Sequence, residues 1–340
     1  MNKITTAGLD LAKNNFHVVC TNGSGKIVRK RMLKRAQVLP YFAQLPSCLV
    51  GIEACSGAHY WHRELAQLGH QVKQLPAQYV KAFVRGNKND YNDALAIAEA
   101  VRQPELRPVS PKTIPQQDIQ ALIRLRQKAI ASRTLLSNQL RGLLAEYGIV
   151  LHPGMAVIRR RIPELLEDAD NGLSPLFREC LAEGYRQLQD LDGVIERYTR
   201  KLTHWSQQHE ACQRLQSIPG YGSIVASVYF SQVGNGQDYR RGRDVSASLG
   251  LVPAQHSSGG KPRLLGISKR GNGYLRSLLV HGARAVLRQA ERQGKTDRLS
   301  LWALRLKEKK GHNKAVVALA NKMARMGWVI LNQHTVYQAR

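Results

Sequence analysis

Four carboxylates in the first hundred residues are of the type that supplies hard oxygen ligands to a divalent cation. Asp10 closes an apolar run in Gly8-Leu9-Asp10-Leu11-Ala12-Lys13, on the side opposite Leu9 and Leu11. Glu53 closes a later run in Val50-Gly51-Ile52-Glu53-Ala54. Asp90 and Asp93 open a helical stretch, and a spacing of three puts both on one face. A carboxylate emerging from a sheet centre is costly unless it is paired or binds a metal. Together the four supply hard oxygen ligands for two Mg²⁺ ions, which activate a nucleophile and stabilise the leaving oxygen of a phosphodiester. Taken singly, each has a plainer reading: Asp10 or Glu53 ends a strand in solvent, Asp90 caps a helix, and Asp93 complements the helix dipole.

A second constellation lies in the last third of the chain. Ser246-Ala247-Ser248-Leu249-Gly250-Leu251-Val252-Pro253 is followed by Ser257-Ser258-Gly259-Gly260-Lys261 and then by Gly266-Ile267-Ser268-Lys269-Arg270-Gly271-Asn272. The pattern reads as a Gly/Ser-rich loop and a basic turn that opens a helix over 274–290. A serine beside Lys261, Arg263, Lys269 and Arg270 is placed to attack phosphorus while the cations stabilise the phosphoryl oxygens. With Arg276, those four form the expected nucleic-acid-binding set. No Asp or Glu occurs between Asp244 and Glu291, which leaves His256 as the nearby base. The alternative is a flexible surface loop without chemistry.

These residues must be positioned by recognisable elements. Apolar runs at 4–11, 16–20 and 27–33, the last two separated by Asn22-Gly23-Ser24-Gly25, predict a three-stranded meander. Helix over 36–45, strand 48–52, helix 60–68, strand 71–75 and helix 91–101 complete a βββαβαβα order, which is that of a mixed-sheet α/β layer domain. From 116 to 147 one long helix carries Leu122, Ala129, Leu136 and Leu143 at seven-residue spacing, with Ile119 and Leu140 flanking the same seam and Arg126 and Arg133 falling between them. Its expected partner spans 181–207, where Leu188, Ile195 and Leu202 alternate with Leu191, Tyr198 and Trp205. The pair makes a coiled-coil hairpin or a dimer seam, or each helix simply packs on a core. Beyond 215 the chain reads as mostly helical. Ile218-Pro219-Gly220-Tyr221-Gly222 resembles the turn of a helix-hairpin-helix element, and equally a plain loop. The expected domains are 1–110, a helical linker over 111–210, and 211–340.

The 340 residues include 51 Lys and Arg against 24 Asp and Glu, a net charge of +27. That excess fits a partner covered in phosphates. From Asn235 to Arg340 there are 21 Lys and Arg against 5 Asp and Glu, so much of the phosphate contact is expected there. Five cysteines without CxxC or Cys/His spacing read as ordinary thiols of a reducing cytoplasm. No run approaches the ~20 apolar residues of a membrane span. No GxxxxGK[ST] loop is present, which argues against a nucleotide-driven step. No RRM or KH signature occurs either.

GLDLAK, GIEACSG, NDYNDA, IPGYGSIVA, SLGLVPAQHSSGG and ISKRGNGYLR together resemble the bacterial insertion-sequence transposase family called one-ten, in particular its eleven-eleven branch, over nearly the full chain. The resemblance implies an RNase-H/RuvC-like domain with a D-E-D-D metal set, a coiled-coil linker and a C-terminal transposase domain with a catalytic serine. It carries the metal role onto Asp10, Glu53, Asp90 and Asp93, and the nucleophile onto Ser258, with Ser257 one position away. It implies Mg²⁺-assisted strand cleavage and exchange through a phosphoserine intermediate, on donor and target DNA selected by a structured guide (bridge) RNA. Separately from the resemblance, a helical seam that joins protomers would permit a composite active site in a homo-oligomer, dimer or tetramer, and the thiols and the lack of a membrane-length run lead to the expectation of a cytoplasmic, nucleoid-associated protein. Two other classes stay open: a metal-only nuclease or junction resolvase, and a non-catalytic nucleic-acid-binding protein. For either kind of nucleic-acid protein, affinity for duplex DNA should fall steeply with salt, with a slope of roughly −0.9 in log affinity per neutralised phosphate. A flat titration would remove nucleic acid as the main partner.

Overall fold

The computed structural model describes residues 3–87, 89–257, 259–261 and 263–339. The chain divides into two units, Met1–Thr113 and Ile114–Arg340.

In the first unit, the run before Asp10 forms β1 (Thr6–Asp10), and β2 (Asn15–Thr21) and β3 (Ile27–Lys34) follow as an antiparallel meander. Its second turn is held by Asn22, whose Oδ1 accepts hydrogen bonds from the Ser24 and Lys26 N–H groups at 3.2 and 2.9 Å. After α1 (Val38–Ala43) come β4 (Leu49–Glu53), α2 (Ala58–Gln67) and β5 (Gln71–Leu75). A short α3 (Ala77–Val80), absent from the sequence reading, precedes α4 (Asp90–Ala100). The five strands are ordered β3-β2-β1-β4-β5, with β1, β4 and β5 parallel. The mixed sheet was the expected one.

Period-two alternation divides this sheet into two different faces. Leu9, Phe16, Val18, Val50 and Ile52 are buried in a core with Trp61 and Leu65 of α2 and with Val38 and Phe42 of α1. Thr6, Gly8 and Asp10 of β1 and Leu49, Gly51 and Glu53 of β4 point the other way, toward α4. A Cβ at Gly8 would stand 2.0 Å from the Ala94 carbonyl oxygen and 2.5 Å from the Ala98 nitrogen. One at Gly51 would stand 2.8 Å from Val101 Cβ and 2.9 Å from Ile97 Cγ2. The helix therefore lies directly on two strands that lack side chains at the crossing.

The second unit begins with α5 (Ile114–Ala145), α6 (Met155–Glu167) and α7 (Pro175–Gln208). Arg126 Nε donates to Thr199 Oγ1 at 2.7 Å, Arg133 Nη1 to Asp192 Oδ1 at 2.9 Å, and Leu140 packs where a Gly184 side chain would be. As one number rises the other falls, so α5 and α7 run antiparallel along each other. On α7, Leu188, Ile195 and Leu202 are buried as anticipated, with Leu181 one heptad earlier. On α5 the expected Ile119, Ala129 and Leu140 are buried, and the rest of the line differs. Ile119, Ile123, Ala129, Ser137, Leu140 and Leu144 are buried, whereas Leu143 is 42% exposed. Arg126 and Arg133 stand between the buried ends of the seam, donating to Thr199 and Asp192. Burial pushes the Asp192 carboxyl up, but hydrogen bonds from Arg133 and Arg159 outweigh it and hold the group below its ordinary value.

The remainder comprises α8 (Glu210–Gln216), α9 (Ser223–Val233), α10 (Gly242–Ser248), the hairpin β6 (Pro253–Gln255) and β7 (Leu264–Ile267), α11 (Gly273–Gln293), α12 (Arg298–Lys310) and α13 (His312–Gln333). The two-stranded hairpin replaces the loop expected over this stretch. At its heart α13 buries Ala315, Val316, Leu319, Ala320, Met323, Ala324, Ile330 and Leu331. Tyr221 and Tyr229 donate hydrogen bonds to the Met323 and Ala324 carbonyls at 3.2 and 2.5 Å. The 218–222 turn uses its glycine for packing: a Cβ on Gly220 would meet the Gly282 carbonyl at 2.8 Å.

Gly8→Ala should be among the most damaging single-methyl additions in the chain. Overpacking against backbone atoms costs about 3 kcal/mol at the upper end of the usual range. Urea unfolding of the metal-free protein should show a loss near that size, against a near-neutral Gly23→Ala, where nothing lies within 4 Å.

Candidate catalytic carboxylate site

Helical geometry converts the α4 crossing into a constellation. Ala94 rests over Gly8, and one turn earlier is Asp90; Gly8 is two residues before Asp10 on the same strand face. Ile97 rests over Gly51, and one turn earlier is Asp93; Gly51 is two residues before Glu53. The helix start is thus carried over the carboxyl ends of β1 and β4, with Asp90 toward Asp10 and Asp93 toward Glu53. The cap of α4 is Asn89, whose Oδ1 accepts from the Tyr91 N–H at 2.9 Å, so neither aspartate is needed as the cap.

Ligand atoms of Asp10, His17 and Asp90 all lie within 4.8 Å of one another. His17 sits directly opposite Asp10 in the β1/β2 register and is buried. Its Nδ1 is 3.5 Å from Asp90 Oδ2, and its ring stands edge-on to Tyr91 with centroids 4.8 Å apart. Glu53 is drawn in by its effect on ionisation: burial raises its carboxyl above the usual range, and the negative Asp93 raises it further. Burial likewise raises the Cys55 thiol, with Glu53 and then Asp10 adding to the shift. Carboxylates concentrated in this way disfavour their own charge, and a divalent cation relieves the conflict. Among the described residues, Asp10, His17 and Asp90 are the group whose ligand atoms lie close enough to share a cation; Glu53 and Asp93 influence one another electrostatically and are not part of that group.

Sequence reasoning overlooked His17 and Cys55. The first was recoverable from hairpin register, since a short turn after Asp10 brings position 17 opposite it. The second lies two residues beyond Glu53, past the strand end, where no periodicity marks it.

Ser258 lies outside the described residues. Its neighbour Ser257 is exposed at the hairpin, and the Ser257 oxygen accepts from Gln255 Nε2 at 2.8 Å and from the Arg263 N–H at 3.1 Å. His256 is exposed, as are Lys261, Arg263, Lys269 and Arg270. Arg276 is half-buried and donates to the Leu249 and Arg270 carbonyls at 2.9 and 2.8 Å, tying two turns together. Those turns touch backbone to backbone: a Cβ on Gly271 would fall 1.8 Å from the Ser248 carbonyl, and one on Gly250 2.4 Å from the Arg270 nitrogen. The Ser268 N–H also donates to Val252 O at 2.8 Å. The glycine-rich and basic motifs therefore build a rigid base under the hairpin.

Residues 7–149, which include all four carboxylates, match the transposase family described as DEDD_Tnp_IS110. Residues 212–297, which include the hairpin and α11, match the transposase IS116/IS110/IS902 family. The transposase for insertion sequence element IS1111A of Coxiella burnetii is 43% identical over 99% of this chain and 92% of its own length. The chain belongs to the IS116/IS110/IS902 transposase family. The transposase for IS1328 of Yersinia enterocolitica is 40% identical, over 99% of both chains. As a transposase, the protein is a DNA-processing enzyme, and among the described residues no helix is long and apolar enough to cross a membrane.

Glu53 gives this transposase a defined pH signature. A carboxyl raised on folding adds stability while protonated and withdraws it as pH rises through the raised value. Glu53→Gln should stabilise the metal-free protein at about pH 7 and have little effect near about pH 4. Divalent cation should stabilise the wild type at neutral pH, by about 2.7 kcal/mol at a hundred times its Kd. Asp10→Asn should remove most of that gain in the same thermal melts, and an undiminished gain would place the cation elsewhere.

Proposed function

We propose that the first unit is an RNase-H/RuvC-like catalytic domain, and that the transposase cuts and exchanges DNA strands through a phosphoserine intermediate. The observation that carries this reading is the pairing of Asp10 with Asp90 and of Glu53 with Asp93 at the carboxyl ends of two adjacent parallel strands. In chain order the four spell the D-E-D-D of the family description. Mg²⁺ is the cation proposed for them, since hard carboxylate oxygens suit it; when bound, it supplies Lewis-acid stabilisation of charge on the phosphoryl oxygens.

The nucleophile proposed is Ser258. Its Oγ forms a bond to phosphorus as the bond from phosphorus to the 3′ oxygen breaks. The hydroxyl proton passes to His256 or to water, and the departing 3′ oxygen takes up a proton to leave a free 3′ hydroxyl. The DNA 5′ phosphate is then held as a serine ester that conserves the energy of the broken bond. Attack by the 3′ hydroxyl of a second strand restores a phosphodiester and releases the serine. Ser257 is the weaker candidate because its oxygen already accepts two hydrogen bonds, using both lone pairs. Exposed Lys261, Arg263, Lys269 and Arg270 are suited to the phosphate oxygens. Selection of donor and target DNA by a structured guide RNA belongs to the same proposal, and the excess of basic residues supports it.

Ser258→Ala should eliminate a denaturation-resistant protein–DNA adduct, whereas Ser257→Ala should retain it. An adduct that survives the double substitution would return the protein to the metal-only nuclease class. RNA sequenced from the purified protein should match the flanks of its gene if guidance is correct.

A further inference from the structure

The outer face of α11 carries a basic stripe that lies beyond the carboxylate site and the serine hairpin. His281, Arg284, Arg288 and Arg292 recur at intervals of three or four residues, so they share one side of the helix, and all four are exposed. The opposite side, Leu275, Leu279, Ala283, Val286, Leu287 and Ala290, is buried. Rotation of the helix is fixed by Gly282, where a Cβ would lie 2.4 Å from the Gly220 carbonyl oxygen. Asn272 caps the start, accepting from the Tyr274 and Leu275 N–H groups at 3.0 and 3.1 Å. The stripe is a rigid feature.

Its charge is uncompensated. The single acid of α11, Glu291, is bound to Lys307 at 2.6 Å. Among the described residues no ion pair or side-chain hydrogen bond engages His281, Arg284, Arg288 or Arg292. Arg284 with Arg288, and Arg288 with Arg292, are like charges four apart, an arrangement that works against the helix itself. Such an arrangement is retained at a cost to the fold and suits a polyanion.

We infer that this face binds the sugar–phosphate backbone of duplex DNA without reading its sequence. The stripe is about 16 Å long, from the eleven steps of 1.5 Å between His281 and Arg292, which spans roughly five phosphates of one strand at 3.4 Å per phosphate. The family to which the chain belongs acts on DNA, so the phosphates that this stripe meets are those of a DNA duplex. Ala285, a small residue between the arginines, leaves room for close approach. The inference rests on the DNA-processing reading and adds to it a contact surface separate from the hairpin cations.

The test uses the full-length protein with Arg284→Gln, Arg288→Gln and Arg292→Gln combined, and fluorescence anisotropy on a random-sequence DNA duplex and on an A-form RNA duplex across a salt series. The DNA salt slope should fall by roughly 2 to 3, and affinity at about 0.15 M salt on the order of a hundredfold, equally for unrelated DNA sequences. RNA affinity should change by less than about threefold. The matching triple change to Lys should restore the slope, because charge is kept. Single changes at Arg284 or Arg292 should each lower the slope by about 0.9, so the result does not depend on one variant's folding. An unchanged DNA slope in the triple variant, or a greater loss on RNA than on DNA, overturns the inference. Wild-type protein without salt-dependent DNA binding would instead sink the DNA reading on which it rests.

Discussion

The closest approach in the first unit is that of helix α4 to two strands that lack side chains where it crosses them. Gly8 and Gly51 allow the Ala94 carbonyl and Ile97 to descend into space that any other residue would fill. Because the seat is backbone against backbone, the helix cannot slide or roll by much without a clash. Its first turn is consequently held over the strand ends. The approach of Asp90 to Asp10 and His17, and of Asp93 to Glu53, depends on that placement.

What the placement does electrostatically runs against the rest of the chain. A protein with a net charge of +27 brings carboxylates together here, and the Glu53 carboxyl is raised first by burial and then by the negative Asp93. The positive end of the α4 dipole eases this in part. A divalent cation would offset the burial and crowding of these carboxylates. His17 adds a nitrogen held by burial and by Tyr91, so one side of the group has a fixed geometry.

Close glycine contacts recur in the second unit for a different purpose. Gly220 against Gly282 sets the rotation of α11, and Gly250 and Gly271 join the two turns beneath the β6–β7 hairpin. Arg276, read from sequence as a phosphate ligand, donates to two backbone carbonyls at that junction. Its guanidinium has five donors in a fixed fork, which suits it to bridging carbonyls of separate turns. Cations at neighbouring exposed positions keep their charge available.

Much of the first unit was legible in the amino-acid order. Strand and helix signals are local, and the alternation around Asp10 and Glu53 already assigns them to the face opposite Leu9 and Ile52. The same holds for Leu188, Ile195 and Leu202, whose heptad spacing survives as a buried line on α7. Other features arise between segments far apart in sequence. His17 joins Asp10 only through strand register, and Asp90 meets Asp10 only because α4 is seated on Gly8. On α5 the sequence placed Arg126 and Arg133 between Ile119 and Leu140, but that they bond to Thr199 and Asp192 of α7, and that Leu143 stays exposed, depends on the partner helix. The serine stretch read as a loop because Gly259 and Gly260 hide a hairpin whose pairing of Pro253 with Ile267 is not local. Residue type and periodicity determined which groups were available and which face each occupied. Tertiary packing decided which of them meet, because a contact across the sheet or between helices depends on register and close approach that no single segment encodes.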